Sequence, residues 1–204
     1  MRVSRRRRPV EAECRFDAAA HQYFIDGVQV PSITWMLDQV GLIYESDDEE
    51  CLERGHLIHA LAAELDQGAI RHPERVEIER HPTWKGYFLA YVNATRTLKP
   101  VWRYIEKALF HVAAPCWAGR LDRCGTLWGA QAVVELKTGS GGSPATPIQL
   151  ALQALLAAPA LHLPPTAILR YELILKETGR WALREHTNRR DFDEAAEIIR
   201  TCTT

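Results

Sequence analysis

The chain has no apolar run of 18 or more residues, and its arginine-rich start is not followed by the hydrophobic stretch that a secretory or twin-arginine leader needs. The pattern therefore excludes a membrane-spanning helix and gives the cytoplasm as the expected location. Cysteine is sparse and scattered. The five residues Cys14, Cys51, Cys116, Cys124 and Cys202 contain no Cys-x-x-Cys pair, which argues against disulfides, a zinc site and an iron–sulfur cluster. No Walker loop occurs, so any unwinding of a nucleic acid would need another protein. Lysine is scarce as well, five of 25 basic residues, which makes a lysine in a suggestive position more informative.

What is present is an ordinary globular composition: 204 residues, 47% apolar and 25% charged, enough for one hydrophobic core. The formal net charge of −1 averages two unlike regions. Residues 1 to 8 hold five arginines and no acid, leaving 20 basic against 26 acidic residues, a net of −6, in the remainder. Residues 1–10 are thus expected to be a basic tail, either a solubilising extension or a nucleic-acid contact, and residues 11–204 a single domain. Attraction of the body to a polyanion would have to come from a local cleft or from bound metal that offsets carboxylates.

Along the chain, His21 to Val30 alternates around Asp26-Gly27 as a hairpin does. Ser32 is placed to cap a helix carrying Ile33, Met36, Leu37 and Val40, with Gly41 to stop it. Helices are predicted from Asp48 to Leu65 and from about Thr83 to Arg96, the second ended by Pro100. Strand-like runs at Trp102–Val112, Trp117–Leu127 and Ala132–Lys137 form an antiparallel meander. A helix with Thr146 as N-cap and Pro147 as first residue should run through Ala158, followed by strands Ala167–Lys176 and Arg180–Thr187 and a last helix near Asp191. This order reads as an α/β sandwich around one mixed sheet. The tryptophans and tyrosines are read as core residues.

The chemically informative stretches are Gly119-Arg120-Leu121-Asp122-Arg123 and Val133-Val134-Glu135-Leu136-Lys137-Thr138-Gly139. Residues two apart on a strand face the same way, so Glu135 and Lys137 project together while Val134 and Leu136 face the opposite layer. Antiparallel pairing with the preceding strand brings Asp122 beside Glu135. Two close carboxylates repel unless a cation lies between them, and hard oxygen ligands with open positions suit Mg2+ or Mn2+. Such an ion fits phosphodiester hydrolysis, and the Lys137 ammonium can orient water or hold a phosphate oxygen. Read alone, a Glu-x-Lys tripeptide also occurs as a solvated pair at a strand edge.

From Tyr23 through Leu156 the sequence resembles the RecB-like branch of PD-(D/E)XK nucleases, especially its phage and prophage exonucleases. The match rests on Gly55-His56-Leu57-Ile58-His59, on Tyr104-Ile105-Glu106, on Gly119 to Arg123 and on Glu135 to Gly139. The resemblance implies a restriction-endonuclease-like fold, a mixed central sheet flanked by helices. It implies Asp122, Glu135 and Lys137 as catalytic residues, and His59, Asp122, Glu135 and the Leu136 carbonyl as ligands of Mg2+ or Mn2+. Glu106 takes a position behind the direct ligands or reaches the ion through water, with a surface pair to Arg103 or near Lys107 as the alternative. Gln149 matches a downstream helix, whose following tyrosine position holds Gln153 here. The implied activity is hydrolysis of DNA, as an exonuclease in recombination, repair or end processing in a bacterial or phage-infected cell, with DNA and a recombination protein as partners. RNA as substrate, and a non-cleaving DNA-binding or assembly protein on the same fold, remain the other readings.

Overall fold

The computed structural model describes residues 12–43, 48–79 and 81–203. The expected basic tail lies outside these residues. A small sheet of β1 (Cys14–Asp17), β2 (Gln22–Ile25) and β3 (Val28–Val30) opens the chain. The β2–β3 hairpin turns at Asp26-Gly27 as predicted, with both residues at positive φ; β1 had no clear alternating signal and is an addition. Helix α1 (Ile33–Gln39) begins at Ser32, whose Oγ accepts from the Trp35 N–H at 3.1 Å. Its core residues are Ile33, Met36 and Leu37, while Val40 is exposed just past its end.

Helix α2 (Glu49–Asp66) is capped by Asp48, and α3 (Lys85–Leu98) follows a short 3-10 turn at Pro82–Trp84. The central sheet then forms from β4 (Val101–His111), β5 (Trp117–Leu127) and β6 (Ala130–Thr138), crosses over through α4 (Ala145–Leu161), and ends with β7 (Leu169–Leu175) and β8 (Trp181–Glu185). Helix α5 (Arg190–Cys202) completes it. The sheet order is β4-β5-β6-β7-β8, antiparallel except for β6–β7, whose parallel pairing needs the α4 crossover.

The start of α4 departs from the prediction. Thr146 is not the cap: it lies inside the helix, its hydroxyl buried without a partner, and Ser143 instead accepts from the Ala145 and Thr146 backbone N–H groups. Either a serine or a threonine can cap, and pattern alone favoured the residue next to the proline. The helix also continues past Pro159 to Leu161.

The sheet is covered on both faces. Val134 and Leu136 pack with Ile58 of α2 and Phe88 and Tyr91 of α3, while Val133 and Leu121 pack with Ile33, Met36 and Leu37 of α1, Leu150 of α4 and Ile198 of α5. No helix among the described residues is long and apolar enough to cross a membrane. Most aromatics are core as expected, but Trp35 and Trp128 are not, at 45% and 65% exposure.

Candidate metal centre and active-site cleft

The central strands are irregular at two places, a register shift between Trp102 and Tyr104 of β4 and the site itself. The β4–β5 register runs from Ile105 opposite Arg123 to Lys107 opposite Leu121 and skips Glu106 and Asp122 between them. Glu106 has φ of 46°, a left-handed conformation that costs a non-glycine residue free energy. Alternation slips by one as a result: Leu121 packs on the α1–α4 side, whereas Arg123 reaches α2 and α3 on the other. The β5–β6 pairing likewise ends at Arg123 opposite Val134, one residue short of Asp122 and Glu135. Where the ladder stops, the Leu136 N–H donates to Asp122 Oδ2 at 2.8 Å, so a side chain satisfies a buried backbone donor.

His59 comes from α2 across this gap. Its Nδ1 lies 3.3 Å from Glu106 Oε1 and 3.6 Å from Asp122 Oδ1, and its Nε2 is 3.2 Å from the Leu136 carbonyl. One ligand atom each from His59, Glu106 and Asp122 falls within 4.8 Å of the others, a cluster that could hold a metal ion. Electrostatics point the same way. Burial, then the Glu135 carboxylate, push Asp122 up to about 7. Burial would lower His59, but Asp122, Glu106 and Glu135 outweigh it and raise it to about 9. Without a cation Asp122 and His59 therefore hold protons more tightly than they do in water, whereas at Glu106 burial is outweighed by His59 and the carboxyl stays below its ordinary range; a divalent ion would take the place of those protons. The donor set of one imidazole, two carboxylates and a nearby carbonyl fits a divalent metal.

Glu135 stands beside this cluster. Its Oε1 accepts from Lys137 Nζ at 2.8 Å and from Gln149 Nε2 at 2.8 Å, and its Oε2 accepts from Gln153 Nε2 at 2.7 Å. Burial opposes the charge, but Lys137 holds the Glu135 carboxyl below its ordinary range, and Glu135 in turn keeps Lys137 raised against the same desolvation. Lys137 and Glu135 thus share one face, and α4 supplies both amides from residues four apart. Glu106, assigned an outer role from the sequence, is inside the cluster, with Glu135 next to it.

Five contributors, Arg123, Asp66, Tyr91, Gln153 and Glu172, were given no part in the site by the sequence. Arg123 is fully buried and donates to Asp66 Oδ2 at 2.5 Å, Glu106 Oε1 at 2.9 Å and the Asp122 carbonyl at 2.7 Å. Tyr91 of α3 closes this network by donating to the same Asp66. Asp66 had a usable signal, since it lies seven residues after His59 and so on the same face of α2. Gln153, read from the sequence as a departure at a tyrosine position, reaches the site. Glu172, opposite Glu135 in the parallel register, is buried and accepts from the Gly142 N–H at 2.7 Å and Arg184 Nη1 at 3.0 Å, which ties down the loop after Lys137.

The cluster lies in an open cleft of about 990 Å3 whose lining includes His56, Arg120, Asp122, Glu135, Lys137 and Gln149. Two glycines shape it differently. A methyl group on Gly119 would come within 2.5 Å of Ile33 Cδ1, so glycine three residues before Asp122 lets α1 seat against β5. A methyl on Gly55 would meet nothing within 4 Å, so this glycine leaves room in the cleft that it lines.

No family model and no curated protein sequence matches the chain. Solved structures do. The chain is similar to a "Putative exonuclease" from Eubacterium rectale at 12% identity, covering 84% of this chain and 77% of that one, with a TM-score of 0.51. It is also similar to SSO0001, at 17% identity over 82% of this chain and 80% of that one, but the TM-score of 0.35 carries no argument. At such identities the likeness establishes architecture and not chemistry. The chain has a restriction-endonuclease-like fold, a mixed five-stranded sheet flanked by helices, of a kind also built by a protein described as an exonuclease.

Proposed function

We propose that the protein is a divalent-metal-dependent deoxyribonuclease of the PD-(D/E)XK type that hydrolyses phosphodiester bonds, acting as an exonuclease in recombination, repair or end processing. The observation that carries this reading is the convergence of His59, Glu106 and Asp122 beside a buried Glu135 paired with the half-buried Lys137 at the floor of an open cleft. His59, Glu106, Asp122 and the Leu136 carbonyl would hold Mg2+ or Mn2+, and Glu135 is the next carboxylate within electrostatic reach. The bound ion supplies a Lewis acid and a water of lowered pKa. Lys137 keeps its proton beside Glu135, so its ammonium can orient that water or neutralise a phosphate oxygen. Gln149 and Gln153 fix Glu135 in place, and Arg123 fixes Glu106.

The test is loss of linear double-stranded DNA in Mg2+ or Mn2+, with EDTA, a closed circular duplex and RNA as parallel arms. Metal-dependent loss of the linear DNA that disappears in Lys137→Ala and Asp122→Ala is the expected result. Cleavage that survives both substitutions would assign the activity elsewhere, and DNA binding without cleavage would leave the fold in a non-catalytic role.

A further inference from the structure

On the α2–α3 side of the sheet, separate from the cleft, the chain has a second cavity of about 610 Å3. It lies between the ends of α2 and α3 and the start of β4, where Ile70, Val92, Trp102 and Ile105 give it an apolar wall. Arg71, Arg96 and Lys99 line it as well. Among the described residues none of these three side chains has a hydrogen-bond or ion-pair partner. Cations elsewhere are matched: Lys85 meets Glu77 at 2.7 Å and Arg184 meets Glu172 at 3.0 Å.

A cation at the end of a helix has a structural reason to be there, since it offsets the helix dipole. That accounts for Arg96, in the last turn of α3, and for Lys99, its left-handed cap. It does not account for Arg71, which lies beyond α2 in a different segment and lines the same cavity. Asp66, the acid in the wall, does not neutralise them, because its carboxylate accepts from Arg123 Nε at 2.5 Å and from the Tyr91 hydroxyl. Uncompensated positive charge beside an apolar wall with an aromatic ring matches a small ligand that has an anionic end and a flat body, and the volume falls in the ordinary range of small-molecule sites. The wall is also tied to the metal cluster. Arg123 Nη1 donates on to Glu106 Oε1 at 2.9 Å, and that oxygen is 3.3 Å from His59 Nδ1.

We propose that this cavity is a binding site for a nucleoside monophosphate, its phosphate held by Arg71, Arg96 and Lys99 and its base against Trp102 and Ile105. The identity of the ligand rests on the nuclease reading above, because stepwise hydrolysis from a DNA end releases such a nucleotide; the site itself rests on its own residues. The cavity shares no lining residue with the cleft, so the nucleotide held there is released product and not the substrate strand.

The experiment is calorimetric titration of the full chain with dAMP in EDTA at low salt, beside deoxyadenosine and inorganic phosphate. dAMP should bind about tenfold or more tightly than either fragment, since each fragment lacks one half of the contacts. Arg96→Ala and Lys99→Ala should each weaken dAMP binding by about tenfold, the order of one lost charge-assisted hydrogen bond, with Tm close to wild type. Asp122→Asn, which alters the cleft, should leave dAMP binding as it is. Absence of dAMP binding, or binding that survives both cation substitutions, overturns the site. A short single-stranded oligonucleotide that binds more tightly than dAMP and is weakened by the same substitutions would make the surface a DNA contact and overturn it too. Cleavage of linear DNA in Mg2+ is scored separately. Cleavage without dAMP binding sinks the site and keeps the nuclease reading, whereas the expected dAMP pattern without cleavage keeps the site and sinks the nuclease reading.

Discussion

Arg123 and Arg170 are both buried cations on the central sheet, one on each face, and they differ in what surrounds them. Arg170 on β7, 3% exposed, donates to Asp191 Oδ2 of α5 at 2.8 Å and to the Asn188 and Pro147 carbonyls. One cation meets one carboxylate, and the result is a staple between sheet, α4 and α5. Arg123 meets Asp66 and Glu106, and Glu106 in turn faces Asp122 and His59. Beyond Arg123 the carboxylates continue toward the cleft: burial and then Glu135 raise Asp122, and at His59 the carboxylates outweigh burial, so both hold protons above their ordinary values. A closed ion pair stabilises a fold; an acid cluster left open on one side is arranged for something that enters from solution.

Asp122→Asn should break the comparison most severely. Metal-dependent hydrolysis is expected to fall by about 10³-fold, the order of losing one key electrostatic contact. Metal-free thermal stability at pH 8 should stay level or rise, because a neutral amide removes the repulsion that Asp122 suffers beside Glu135. A calorimetric scan showing marked destabilisation would mean that Asp122 is held for the fold and not for an ion.

Next come the two arginines themselves. Arg123→Met and Arg170→Met each strand a buried carboxylate and should each cost about 3–5 kcal/mol of unfolding free energy. Only Arg123→Met should also weaken Mn2+ binding, by about 10–100-fold, since it supports Glu106. Equal metal affinities in the two variants, measured by titration calorimetry on the folded fraction, would erase the distinction drawn here.

A pH series sharpens the same contrast with a smaller effect. Asp122 is raised from 3.8 to about 7 and His59 from 6.5 to about 9, so the folded metal-free protein holds protons that the unfolded chain gives up. The stability these two groups contribute is full below their unfolded values. It is lost as pH rises, through about 7 for Asp122 and about 9 for His59. Because an ion replaces those protons, the rise in Tm on adding Mn2+ should be larger at pH 8.5 than at pH 6. An equal or smaller rise at the higher pH would show that the ion binds away from these groups. The smallest effect is expected from Gly55→Ala, which meets open space and improves helix propensity by up to about 1 kcal/mol. Tm should rise slightly with cleavage unchanged; a clear loss of cleavage would mean that substrate touches the helix backbone at Gly55.

Much of the architecture was legible because periodicity reports burial. The meander, the crossover helix and the cap at Ser32 follow from local patterns, and so does the shared face of Glu135 and Lys137. The site was less so, because its decisive features are irregular. No alternation rule shows that Glu106 adopts positive φ and that the strand slips at Asp122, yet this slip is what turns Glu106 into the cluster and Arg123 toward Asp66. Gln153 was read as a departure from a family pattern, but it still contributes the bond to Glu135 Oε2 through a different group. Trp35 was assigned to the core by residue type, whereas the helix face it occupies leaves it at the surface.

The most direct measurement is anomalous diffraction from crystals of the protein soaked in Mn2+. The expected result is a manganese peak bounded by His59, Glu106, Asp122 and the Leu136 carbonyl, absent from crystals of Asp122→Asn prepared in the same way. A peak elsewhere, or an undiminished one in the variant, would contradict the assignment of this corner as the metal centre.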